Sequence, residues 1–130
     1  MTLNYSKEVM KHFMHPKNIG EIKNPDGIGK VGNPICGDIM WVYIKVDKNE
    51  KIKDIKFKTF GCAAAIAVSS MLTVLAKGKK IDAAEKLTMK DIAKSLKGLP
   101  PIKLHCSDMA IDALKLAIKE YRKRKSKKSQ

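Results

Sequence analysis

The sequence predicts an α+β fold, a small antiparallel sheet covered by helices. Three observations carry this. A run of β-branched and aromatic residues, Ile39-Met40-Trp41-Val42-Tyr43-Ile44-Lys45-Val46, precedes a turn and then an alternating segment over 51–60. Directly behind this hairpin comes a segment that is small and apolar almost all round. From there on the hydrophobic spacing is helical. Strands early and helices late argue against alternating β-α units with a parallel sheet. At 130 residues and 44% hydrophobic content, the chain supports one domain with a real core. We assign residues 1–125 to that domain and 126–130 to a basic, disordered tail.

Each element has a local cause. Residues 4–14 form a short amphipathic helix in which Val9, Met10, Phe13 and Met14 share a face, and His15-Pro16 stops it. Residues 16–37, rich in Gly, Pro and Asn, read as a loop long enough to suggest a functional role. The strand over 39–46 turns at Asp47-Lys48-Asn49-Glu50. In the strand over 51–60, Ile55, Phe57 and Thr59 lie on one face and lysines on the other. Gly61 breaks this strand and a buried helix follows over 63–77, ended by Gly78. Short helices follow over 81–86 and 89–97, the second capped by Thr88 with Asp91 three residues on. Gly98-Leu99-Pro100-Pro101 is an extended break. The last helix, over 107–124, turns Met109, Ala113, Leu114, Ala117, Ile118 and Tyr121 inward.

The net charge is +14, and nearly all the basic residues are lysine. The end of the chain holds Lys119, Arg122, Lys123, Arg124, Lys125, Lys127 and Lys128 against Glu120 alone. Such a tail reads either as a solvated helix end or as a surface for acidic partners or nucleic acid. Aromatic content is 5% with no basic-aromatic interleaving, which disfavours a stacking platform for single strands. No apolar run is long enough for a membrane helix, and Met1-Thr2-Leu3-Asn4-Tyr5-Ser6-Lys7 lacks the apolar core of a signal peptide. We therefore expect a cytoplasmic protein with no membrane partner, in which thiols stay reduced.

The chain has three cysteines, and all stand at junctions between elements. Cys36 precedes Gly37 and Asp38. Cys62 and Cys106 stand at the starts of expected helices, where unpaired N–H groups and the positive dipole end favour a thiolate. A buried cysteine is a common small hydrophobe, but three at junctions suit metal ligation better. The spacing lacks the close C-x₂₋₄-C pair of structural zinc sites, so any ligands must converge through the fold. Asp38 and His105 are candidates for a fourth position. Thiolates suit iron–sulfur clusters and zinc, whereas a carboxylate is a weaker match and would hold a cluster loosely. His12 and His15 look structural.

Four segments resemble the iron–sulfur cluster assembly scaffold IscU and the N-terminal domain of NifU. They are His15-Pro16-Lys17-Asn18-Ile19-Gly20, Gly32-Asn33-Pro34-Ile35-Cys36-Gly37-Asp38, Phe57-Lys58-Thr59-Phe60-Gly61-Cys62, and Leu99-Pro100-Pro101-Ile102-Lys103-Leu104-His105-Cys106-Ser107. The likeness runs over about residues 4–122 and implies a three-stranded antiparallel sheet packed against four to five helices. It implies a non-enzymatic scaffold that builds a [2Fe–2S] cluster and passes it on. Cys36, Asp38, Cys62, His105 and Cys106 would hold the cluster or a metal, with Cys106 the persulfide acceptor. Leu99, Pro100, Pro101, Ile102 and Lys103 would be gripped by a chaperone, with Ile102 where the family has Val. The partners implied are a cysteine desulfurase, Hsp70/Hsp40-type chaperones and recipient apo-proteins, with homo-oligomerisation left open. Zn²⁺ in a structural or regulatory form of the same fold is the alternative occupant. Ala63-Ala64-Ala65 departs from the Gly- and Ser-rich segment of many relatives and stiffens the helix start.

Overall fold

The computed structural model describes residues 6–33, 38–60, 63–97 and 104–128. For residues 33, 38, 63–64, 104–107 and 127–128 it describes the backbone. The elements run α1 (Lys7–Met14), β1 (Gly27–Asn33), β2 (Asp38–Val46), β3 (Ile52–Phe60), α2 (Ala63–Ala76), α3 (Ile81–Glu85), α4 (Met89–Ser95) and α5 (Leu104–Lys128). The strands form an antiparallel meander in the order β1-β2-β3. The α+β architecture, a three-stranded sheet with five helices among the described residues, is the one expected.

The core lies between one face of the sheet and the helices. Met40, Val42 and Ile44 of β2 and Ile55 and Phe57 of β3 are fully buried, as the strand period of two requires. A shift in the β2–β3 register between Lys45 and Val46 lets Ile52 rejoin this face. Helix α2 brings Ala65, Ala67, Val68 and Leu72, and α5 brings Met109, Ala110, Ala113, Leu114, Ala117 and Ile118. Thr88 and Asp91 form the expected capping box on α4. Gly78 ends α2 at φ +87, where a side chain would be strained, and its N–H donates to the Ile52 carbonyl at 2.8 Å.

Three expectations need correction. Residues 27–33 are strand β1, not loop. Their glycines hid the strand signal, yet those glycines are what the fold requires. A Cβ on Gly27 would lie 2.1 Å from the Ala117 carbonyl oxygen, and one on Gly29 1.8 Å from that of Ala113. α5 packs its backbone directly on the β1 backbone, and only glycine permits that approach.

Secondly, helix α1 begins at Lys7, and of its apolar residues only Val9 is fully buried. Met10 and Met14 are exposed because a single helix face meets α2.

Thirdly, α5 runs to Lys128, so residues 126–128 of the expected disordered tail are helical. Three of its exposed cations, Arg122, Arg124 and Lys125, pair with carboxylates. Arg122 bridges Asp82, at 2.6 Å, and Glu85. Arg124 pairs with Glu120 and donates to the Pro25 carbonyl at 2.9 Å, and Lys125 pairs with Glu50. These pairs fasten α5 to α3 and to the far end of the sheet.

Candidate metal centre

The sequence-predicted ligands belong to segments that the fold gathers at one end of the sheet. In the β1–β2 hairpin Asn33 and Asp38, which flank Cys36 in the sequence, are Cα partners at this end. The β2–β3 ladder closes here with Ile39 opposite Phe60. Helix α2 opens at Ala63, three residues after Phe60, so its start stays at this end.

Helix α5 reaches the same end by packing register. Ala117 lies over Gly27 and Ala113 over Gly29. Four helical residues rise about 6 Å and two strand residues about 6.6 Å, so the two elements keep step in opposite directions. Two more such steps bring the helix from Ala113 to His105 and the strand from Gly29 to Asn33. The backbone of His105 and Cys106 is thus level with the mouth of the β1–β2 hairpin.

Asp38 is the first residue of β2, and His105 and Cys106 are the second and third of α5. Cys106 therefore lies inside the first turn of its helix, which opens three residues earlier than expected. The first four N–H groups of a helix lack intrahelical acceptors, so the thiolate-favouring field survives this correction. Cys36, Cys62 and the segment from Leu99 to Lys103 lie outside the described residues, as do the side chains of Asp38, His105 and Cys106. Among the described side chains, no three of His, Cys, Asp or Glu gather as a metal set.

Side chains beneath this end brace it, a role the sequence reading gave to none of them. The Thr59 hydroxyl donates to the Ile39 carbonyl across β2 and β3 at 2.7 Å. The buried Ser69 hydroxyl of α2 lies 2.8 Å from both the Met40 sulfur and the Ala65 carbonyl. On the opposite face of the sheet, the Trp41 ring meets Phe60 edge to face at 5.9 Å. Lys58 and Lys30 lie over the indole at 4.9 and 5.4 Å from its centre. Phe60 is 66% exposed although it stands two residues from Cys62. Lys58 is also held by Glu21, and that hydrogen bond raises its pKa above the ordinary lysine value.

A further network clips the segment after α1 onto α2. The fully buried Ser70 hydroxyl accepts from the Lys17 N–H at 2.8 Å and lies 2.7 Å from His12 Nδ1. Asn18 Nδ2 donates to Thr73 Oγ1 at 3.0 Å, and Ile19 bridges Phe57 at the β3 edge. His12 is thus a structural residue. Burial first, then Lys11 and Lys17, lowers its pKa below the usual 6.5, against an opposing pull from Glu8.

The NifU-like N-terminal domain matches residues 4–128 of the chain. Over 123 residues the chain is 55% identical to the iron-sulfur cluster assembly scaffold protein IscU 1 of Archaeoglobus fulgidus, covering 95% of this chain and 80% of that protein. It is 52% identical over 127 residues to the iron-sulfur cluster assembly enzyme IscU of Drosophila melanogaster, covering 95% and 82%. In fold it is similar to a crystal structure from Fervidobacterium islandicum, a putative iron-sulfur cluster assembly scaffold protein for the SUF system. The TM-score is 0.73 at 24% identity, over 88% of this chain and 96% of that one. With the family matching residues 4–128 and relatives more than half identical along nearly the whole chain, the protein belongs to the NifU-like N-terminal domain family.

Proposed function

We propose that this chain is a scaffold on which an iron–sulfur cluster is assembled and from which it is handed to recipient apo-proteins. The observation that carries this reading is the β1–α5 register, Gly27 on Ala117 and Gly29 on Ala113, which extended along both elements puts the start of α5 at the sheet end where β1, β2 and β3 also terminate or begin. In the sequence every cysteine stands close to one of these element ends. The names of the relatives support the role, and the zinc-held alternative draws no support from them.

The cluster is cargo. Two irons sharing two sulfides need four terminal ligands. Cys36, Cys62 and Cys106 supply three soft thiolates, and Asp38 or His105 supplies a harder or more weakly held fourth. A [2Fe–2S] cluster suits this set, and the mismatched fourth position favours release. Cys106, at the positive end of α5, is the thiolate we assign as acceptor of a sulfane sulfur from a cysteine desulfurase. That sulfur adds to the Cys106 thiolate as a persulfide, and the donor cysteine leaves as a thiolate. The segment from Leu99 to Lys103 is the proposed grip for Hsp70/Hsp40-type chaperones. Prolines pre-extend it, so less entropy is lost on binding. The chain itself is assigned no enzymatic step. No helix among the described residues is long and apolar enough to cross a membrane, and we assign the protein to the cytoplasm.

Anaerobic incubation with Fe²⁺, sulfide and thiol tests the proposal. We expect a red-brown protein with two irons per cluster, and loss of that colour when Cys36, Cys62 or Cys106 is replaced by Ser. Absence of any cluster absorbance in the unmodified protein would sink it.

A further inference from the structure

We propose that Thr59 is a positioning residue for the cargo site, a bracket that holds the β2–β3 strand ends at the spacing the cluster ligands need. The inference rests on the scaffold reading and concerns a residue outside the ligand set.

The β2–β3 ladder ends at the Ile39–Phe60 pair. The last pair of a ladder is where strands separate most readily, because no further hydrogen bonds hold it. The ligand-bearing segments depart just beyond it: Asp38 is one residue before Ile39, and Cys62 two residues after Phe60. The Thr59 hydroxyl donates to the Ile39 carbonyl at 2.7 Å, adding a cross-strand bond at this end of the ladder. β2 is already held from the helical side, where Ser69 reaches the sulfur of Met40, the cross-strand partner of Thr59. The Thr59 bond fastens β3 to that fixed strand. Without it the end of β3, from which the chain runs on to Cys62, moves relative to the start of β2 at Asp38. A cluster bridging the two then spends more time with a ligand detached.

Thr59→Val keeps the shape and removes the bond, and Thr59→Ser restores the hydroxyl. Thr88→Ala, which breaks the α4 capping box far along the chain, is the stability-matched control. Each protein is loaded anaerobically with Fe²⁺ and sulfide, and the half-life of cluster absorbance under a chelator is read beside apo-protein Tm. Loss of one such bond corresponds to about a fivefold shift in an equilibrium. We expect Thr59→Val to shorten the half-life about fivefold, and Thr59→Ser to return it to within about twofold of wild type. Thr88→Ala should lower Tm comparably and leave the half-life unchanged. An unchanged half-life in Thr59→Val, or equal shortening in Thr88→Ala, overturns the positioning role while leaving the scaffold reading intact. Wild-type protein that takes up no cluster overturns the scaffold reading and the bracket with it.

Discussion

Gly29→Ala tests the packing that brings α5 to the site. A Cβ at Gly29 would stand 1.8 Å from the Ala113 carbonyl oxygen and 2.8 Å from the Ala113 carbonyl carbon and the Ala117 nitrogen. Ordinary contact begins at 3.4 Å, so strand and helix must part by about 1.6 Å. All three atoms are backbone, so no rotamer change relieves the clash. Overpacking typically costs about 1–3 kcal/mol, and a clash of backbone on both sides belongs at or above the upper end. A domain of this kind has about 5–15 kcal/mol of stability in all. We expect a loss of about 3 kcal/mol or more and a Tm lower by about 10 °C. The sign is diagnostic: in an open strand the same substitution gains about 0.5–1 kcal/mol. Urea unfolding followed by the fluorescence of Trp41, the one tryptophan, measures it. Adding Ala113→Gly should not rescue the variant, because the atom struck is a carbonyl oxygen. A midpoint at or above wild type, or rescue by Ala113→Gly, would refute the β1–α5 register and the placement of His105 derived from it.

Other outcomes follow from the polar networks and from the ligand set. His12 binds its proton less readily folded than unfolded, so the unfolded chain holds more protons just below pH 6.5. Its contribution to stability is therefore full above pH 6.5 and is lost as pH falls from there through the lower folded pKa. His12→Gln should flatten the stability profile in that window, and an unchanged slope would remove His12 as its source. Ser70→Ala leaves the Lys17 N–H and His12 Nδ1 without their partner at a buried site. It should cost about 1–3 kcal/mol, with hydrogen exchange accelerated in α1, and unaltered α1 exchange would contradict the clip. Asp38→Ala should lengthen cluster lifetime by removing the hard oxygen donor, and faster decay would show that Asp38 stabilises the cargo instead.

Some of this molecule was legible residue by residue. The hairpin strands and the Thr88–Asp91 cap show in local periodicity and side-chain chemistry, and the Gly78 stop in the backbone freedom of a single residue at φ +87. Strand β1 was hidden because its pattern is set by a partner far along the chain. Gly27 and Gly29 are spaced two apart, so both face α5, and alternating glycine is a signal only if a close backbone contact is suspected. The exposure of Met10 and Met14 was invisible for a related reason: a helix's own pattern does not say how wide its partner is. The pairing of Arg122 with Asp82 and Glu85 likewise needs two helices already placed.

By itself the sequence determined the chemistry on offer. Three thiols, a carboxylate and an imidazole, carried at element junctions, already favour a soft metal or cluster held imperfectly. It determined the order of the β2–β3 hairpin and the helices as well, though not β1, because hydrophobic period is a property of neighbours. Only the tertiary structure decided that these segments share one end of the sheet. That decision lies in backbone-to-backbone contact, where glycine seats α5 against β1 in a single register and so carries the start of the helix to the hairpin mouth.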